Sequence, residues 1–205
     1  MNAAVYVDAA YASIAARELG GALDFVRLRS YLDRLASPNP VTERWWFDAL
    51  DGRFDKSTVH AAVRRAGFRL ELTEIRSRPA RGPGGVPLFM ADGSEAKMPK
   101  QVGIDTLIVD TMVRHQCRNG VMRIILVAGD CDFTRNVKRL VDLQNEVIVM
   151  AHAGSVDAEL CTVATQTVFH DAWAEIGRPA PSALYRPRSV VSSVSTRSAA
   201  PWGKG

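Results

Sequence analysis

With 205 residues, 47% of them hydrophobic, the chain holds enough apolar material for one α/β core plus some unfolded length. No apolar run approaches the roughly 20 residues of a membrane span, and the N-terminus lacks the basic region of a signal peptide, so a cytoplasmic protein is expected. The net charge of +4 permits a polyanionic partner without establishing one, and three cysteines without CxxC spacing argue against a disulfide framework or a zinc site.

In chain order, Ala3 to Val7 is a short apolar run ending at Asp8, and Ala10 to Leu19 has helical composition up to Gly20-Gly21. Asp24 precedes a second helix that Pro38-Asn39-Pro40 closes, and Thr42 to Ala49 is aromatic and strand-like. Ser57 to Ala66 reads as a helix, and Phe68 to Ile75 alternates like a strand. Arg76 to Pro99 is rich in Gly, Pro and Arg and is longer than most connections inside a compact domain, which marks it as disordered or functional. Helical periodicity returns from Lys100 to Arg118, followed by strand 123–128, helix 133–144, strand 146–151, a helix near 156–164 and a short strand at 167–169. Strands alternating with helices predict a mainly parallel sheet with helices on both faces, a three-layer α/β/α sandwich. The folded domain is expected over 1–176. Residues 177–205 contain prolines, serines, four arginines and Lys204, and no acidic residue follows Glu175. They read as a disordered basic tail, either an RNA tether or a solubilising terminus.

The richest segment is Arg123 to Phe133. The continuous run Ile124 to Ala128 suits a strand buried on both faces, Gly129 lets the chain turn, and Asp130 and Asp132 follow with Cys131 between them. Both carboxylates then lie at the carboxyl edge of a parallel sheet, where open α/β folds place ligands. Either a cation relieves their repulsion, or Asp132 caps the next helix and Asp130 is solvated. Both readings stay open on this segment alone.

Other elements bring acids to the same edge. Asp8 ends the first strand, and Asp105 sits in the first turn of the long helix. Singly, Asp8 reads as a turn or cap residue and Asp105 as a favourable charge at a helix N-terminus. Four carboxylates from several elements, with no His or Cys ligand, suit Mg²⁺ or Mn²⁺ rather than zinc.

These residues carry a resemblance. Val5-Tyr-Val-Asp8-Ala-Ala-Tyr11, Arg44-Trp-Trp-Phe-Asp48-Ala, Lys100-Gln-Val-Gly-Ile-Asp105 with Asp110, Leu126-Val-Ala-Gly-Asp130-Cys-Asp132-Phe133 and Glu146-Val-Ile-Val149 occur in order across residues 3 to about 170. The chain resembles the NYN-domain family, the LabA-like branch of the PIN-like ribonucleases. That resemblance implies a PIN-like, Rossmann-like fold and a metal-dependent endoribonuclease. Asp8, Asp105, Asp130 and Asp132 would be the catalytic, metal-binding positions, holding one or two Mg²⁺ or Mn²⁺ ions. Water activated there would attack the RNA phosphodiester in line. The sequence departs from the family at Ala9 and Tyr11, where many relatives carry Gly and Asn, and at Cys131, read as a tolerated small residue and not a nucleophile.

Further residues have narrower expectations. Asp110, Asp48 and Tyr11 are candidates for the outer shell of the acidic site. Asp157 is expected to cap the following helix. Arg76, Arg78, Arg81, Lys97 and Lys100 would grip RNA phosphates without reading sequence, or form an ordinary basic loop. Trp45 and Trp46 could stack bases, but strand alternation sends at least one to the core. The four histidines show no metal spacing. A non-catalytic RNA-binding or scaffold module with a degenerate site is the alternative from another class. Phosphatase and Toprim-like readings are weaker, since Asp8 is followed by alanines and the first strand offers no glutamate. The oligomeric state stays open, a homo-oligomer included.

Overall fold

The computed structural model describes residues 1–18, 21–50, 55–101, 103–120, 122–169 and 175–179, with backbone alone at 75–78, 98–101 and 178–179. These residues divide into two compact units, 1–75 with 101 onward to 180, and a second containing 76–100.

The first unit is built around β1 (Asn2–Asp8), whose residues from Ala3 to Asp8 are all buried. A strand covered on both faces has no need of alternating polarity, which accounts for its unbroken apolar run. β3 (Val41–Leu50) and β6 (Met122–Val127) flank it, both parallel. β4 (Arg69–Pro79) pairs parallel with β3, while β7 (Glu146–Met150) and β8 (Gln166–Val168) extend the sheet beyond β6, also parallel. The order is therefore β4-β3-β1-β6-β7-β8. The chain first winds outward from β1 through β3, then returns and winds the other way from β6. That reversal places a topological switch point between β1 and β6, the position where such sheets open a crevice at the strands' carboxyl ends.

Helices cover both faces. α1 (Ala9–Glu18), α2 (Phe25–Ala36) and α3 (Ser57–Arg65) bury Ala12, Ala15, Leu28, Leu32 and Val63 against Val5, Val7, Trp46, Ile125 and Ile148. α4 (Ile104–Asn119), α5 (Thr134–Asp142) and α6 (Ala158–Val163) bury Ile108, Met112, Val137, Leu140 and Leu160 against Tyr6, Phe47, Ile124, Leu126 and Val149. Successive residues of one strand thus serve opposite cores. Each fully buried aliphatic side chain contributes about 1.5–3 kcal/mol. Asp24 caps α2 by accepting from the amides of Val26 at 3.0 Å and Arg27 at 3.1 Å. Among the described residues no helix is long and apolar enough to cross a membrane.

Three boundaries differ from the sequence expectations. Lys100 does not open the long helix. It lies in β5 (Lys97–Gln101), and α4 starts only after Gly103, whose φ of +82° breaks the chain direction. β9 (Gly177–Pro179) pairs antiparallel with β2 (Gly21–Leu23), so ordered backbone reaches past residue 176; the tail expected beyond it lies outside the described residues. Finally, the Arg76–Pro99 segment is more than an irregular loop. Within this second unit Ala80 donates to Ala96 O at 2.7 Å, Ala96 to Leu88 O at 2.8 Å and Leu88 to Ala80 O at 2.9 Å. A 3₁₀ turn spans Pro83–Gly85, and β5 neighbours β4 in strand order.

Candidate metal centre

Asp8 stands where β1 passes directly into α1. Its Oδ1 accepts from the amides of Ala10 at 2.9 Å and Tyr11 at 3.2 Å, so it caps the helix as well as ending the strand. The residue is only 8% exposed. Burial pushes its carboxyl up to about 6, the two amide bonds pull in the opposite direction, and the nearby charges of Asp105 and Asp48 add to the rise.

Asp105 is the second residue of α4 and half-buried. Its carboxyl is raised first by burial, then by Asp130 and Asp132. Asp130 follows β6, and its Oδ1 accepts from the Asp132 amide at 3.1 Å, holding a 3₁₀ turn over Cys131–Phe133. Asp132 thus does not cap α5, whose N-terminus at Phe133 has no side-chain cap, and Asp130 caps only the 3₁₀ turn. Ligand atoms of Asp130, Cys131 and Asp132 lie within 4.8 Å of one another. The Cys131 thiol bonds to Asp130 and is raised by that bond and by the acids around it, which keeps it a neutral thiol and a poor nucleophile.

The turn after β6 thus brings Asp130 and Asp132 together, while Asp105 is raised in part by both of them and Asp8 in part by Asp105. The candidate donors are carboxylate oxygens, and two of these acids are raised first by burial and then by acidic neighbours. That chemistry fits a hard divalent cation such as Mg²⁺ or Mn²⁺, which would relieve the repulsion.

The surrounding residues take distinct places. Asp48, near the end of β3, is buried, and both its oxygens are engaged. Oδ1 accepts from Lys56 Nζ and the Ala49 amide, each at 2.7 Å, while Oδ2 meets His60 Nε2 at 2.9 Å. Lys56 and His60 were not foreseen from the sequence, because no local spacing links either of them to a strand residue. Asp110 is exposed on α4 and pairs with Arg114 at 2.9 Å. Tyr11 braces two loops: its hydroxyl accepts from the His152 amide at 2.8 Å and from Ser155 Oγ at 3.4 Å. Asp157 caps α6 through the amides of Glu159 and Leu160, and its own amide bonds Gly129 O at 2.9 Å.

Trp46 is core, as strand alternation requires of one of the pair. Trp45 is packed between Phe47, His115 and the Arg69 guanidinium, which occupies the ring that base stacking would need. Of the basic residues proposed to grip phosphates, Arg81 and Lys97 are exposed in the second unit, Arg81 also donating to Gly85 O at 2.9 Å. The side chains of Arg76, Arg78 and Lys100 lie outside the described residues.

The solved structures similar to this one include a protein of unknown function from Vibrio parahaemolyticus. It matches with a TM-score of 0.62 at 19% identity, over 86% of this chain and 96% of that one, a likeness of fold alone. No curated protein matches the chain significantly. The NYN domain family model matches residues 2–171. That span takes in the whole acidic site and nearly all of the described fold, and the chain belongs to the NYN-domain family of PIN-like nucleases.

Proposed function

We propose that the protein is a divalent-metal-dependent endoribonuclease of the LabA-like branch, acting on RNA in the cytoplasm. The observation that supports this reading is the pairing of Asp130 and Asp132 in the turn after β6, with Asp105 raised by burial and by both of them, and Asp8 raised by burial and by Asp105 and Asp48. Mg²⁺ or Mn²⁺ held by these four side chains would supply Lewis-acid activation of water and of the phosphodiester. The chain's own residues do the positioning. Amides of the first turn of α1 orient the Asp8 carboxylate. The turn after β6 presents Asp130 and Asp132 together, and the first turn of α4 carries Asp105, whose carboxyl feels both their charges. Free cysteines among the described residues suit a reducing compartment.

A second reading, an RNA-binding or scaffold module with a degenerate site, draws on Tyr11. Its hydroxyl is committed to His152 and Ser155 and does not replace an asparagine amide. Cleavage of a mixed RNA pool in Mn²⁺, in Mg²⁺ and in EDTA separates the two. The nuclease reading expects cutting that needs metal and disappears in a folded Asp130→Asn/Asp132→Asn variant. RNA binding without cutting in either metal would favour the module.

A further inference from the structure

Charge is distributed very unevenly along this chain. Residues 76–100 carry five basic side chains against two acidic ones, and residues 177–205 carry five against none. The remainder, which contains the acidic centre, has 16 basic residues against 20 acidic ones. A polyanion is therefore repelled by the body of the domain and attracted by the two basic segments, so the first unit alone is poorly equipped to hold RNA.

The 76–100 segment also exposes apolar surface on an ordered backbone. Val86, Leu88, Phe89 and Met90 are 61%, 43%, 63% and 59% exposed. Their backbone is held by bonds from Gly82 to Val86 O, from Leu88 to Ala80 O, from Ala96 to Leu88 O and from Met90 to Ser94 O, the last at 2.8 Å. Phe89 faces Glu95 across the ribbon, and Arg81 faces Pro87. Phe89 presents an exposed aromatic ring on a ribbon that also carries the exposed Arg81 and Lys97, which supplies what single-stranded nucleic acid binding uses: a stacking platform and cations for the backbone. The excess of five basic over two acidic residues in 76–100 would repel the same segment of a second copy and attract a polyanion, which disfavours a second chain as the occupant.

We propose that the ribbon of residues 80–97 binds single-stranded RNA, stacking an unpaired base on Phe89 and meeting phosphates with Arg81 and Lys97. This rests on the ribonuclease reading for the identity of the nucleic acid and extends it by naming an unpaired substrate. A duplex keeps its bases stacked inside and offers the ring nothing equivalent.

The test is fluorescence anisotropy of a labelled oligouridylate and of an RNA duplex of equal length, with the full chain, in EDTA so that no metal-dependent cutting intervenes. The expected result is tighter binding of the single strand, about ten-fold weaker binding by Phe89→Ala, and retention by Phe89→Trp. Arg81→Ala/Lys97→Ala should reduce the salt dependence of log K by roughly one to two. Equal affinity for the duplex overturns the proposal, as does unchanged binding by a folded Phe89→Ala. A Phe89→Ala effect that sedimentation shows to be loss of self-association also overturns it, since the patch then joins copies. Cleavage by wild type in Mn²⁺ is read separately. Its absence would sink the nuclease reading while leaving the binding result to stand or fall alone.

Discussion

The ring of Tyr11 fills the space where a β-carbon on residue 129 would stand. A β-carbon built on Gly129 falls 2.6 Å from both Cζ and the hydroxyl oxygen of Tyr11, closer than such atoms approach in folded proteins. Gly129 immediately precedes Asp130, and Tyr11 lies three residues after Asp8. The contact therefore ties the two sides of the acidic centre together, and the Tyr11 hydroxyl extends the tie to His152 and Ser155 after β7.

Gly129→Ala is consequently expected to destabilise by about 1–3 kcal/mol, the range for overpacking. Tyr11→Phe should not relieve the clash, because the ring remains, whereas Tyr11→Ala should. Urea unfolding of both singles and the Gly129→Ala/Tyr11→Ala double measures this. The double should lose less than the sum of the singles, and simple additivity would show that the ring is not what excludes the β-carbon.

Asp8 makes stability depend on pH in a definite direction. Its folded carboxyl titrates near 6, above its ordinary 3.8, so between those values the folded state binds more protons than the unfolded state. Stability in EDTA should then fall as pH rises from about 4 to about 6, and the full cost, on the order of 3 kcal/mol, is present above 6. Asp8→Asn keeps a capping oxygen and removes the charge. It should be more stable than wild type at pH 7.5 without metal, with the difference vanishing near pH 4. A pH-independent difference would contradict the burial of an ionisable carboxyl at this position.

Cation binding should reverse that cost. In Mn²⁺ at about a hundred-fold excess over Kd, wild-type Tm is expected to rise by about 5–10 °C. Asp130→Asn/Asp132→Asn should show little or no rise. Equal shifts in both proteins would locate the ion elsewhere.

The Lys56–Asp48–His60 cluster is expected to be structural first. Asp48→Ala strips both partners of a buried acceptor and should cost about 2–4 kcal/mol in chemical denaturation. The upper end is discounted because the Lys56 side chain is 32% exposed. Loss of less than about 1 kcal/mol would mean that Lys56 and His60 find solvent or other partners.

The sheet was legible because strands buried on both faces announce themselves as unbroken apolar runs, as Ile124 to Val127 does, and Asp8 and Asp130 mark where those runs end. What was not legible depends on geometry rather than periodicity. The apparent helical spacing through Lys100 and Gln101 gives way to a strand because Gly103 adopts positive φ, a choice the apolar positions do not encode. Asp130 and Asp132 are both sound helix-cap residues by type, and only the backbone shows that Asp130 holds the turn. The alternation of Phe68 to Ile75 continues as strand to Pro79, although Gly and Pro enrichment just beyond it signals a loop. Asp48 meets Lys56 and His60 only because β3 and α3 pack together, and Tyr11 meets Gly129 across more than a hundred residues of sequence.

Asp105 is the acid that senses Asp130 and Asp132 and is sensed by Asp8, so it offers the most direct test of the whole account. The measurement is single-turnover cleavage of one labelled single-stranded RNA by wild type and by Asp105→Asn across a Mn²⁺ titration, with EDTA as the zero point. The account predicts no cutting in EDTA and a rate at least about 100-fold lower for the variant, since even outer partners of metal ligands are worth about 10–100-fold, together with a higher Mn²⁺ requirement. An unchanged rate in the folded Asp105→Asn protein, or cleavage that persists in EDTA, would contradict it.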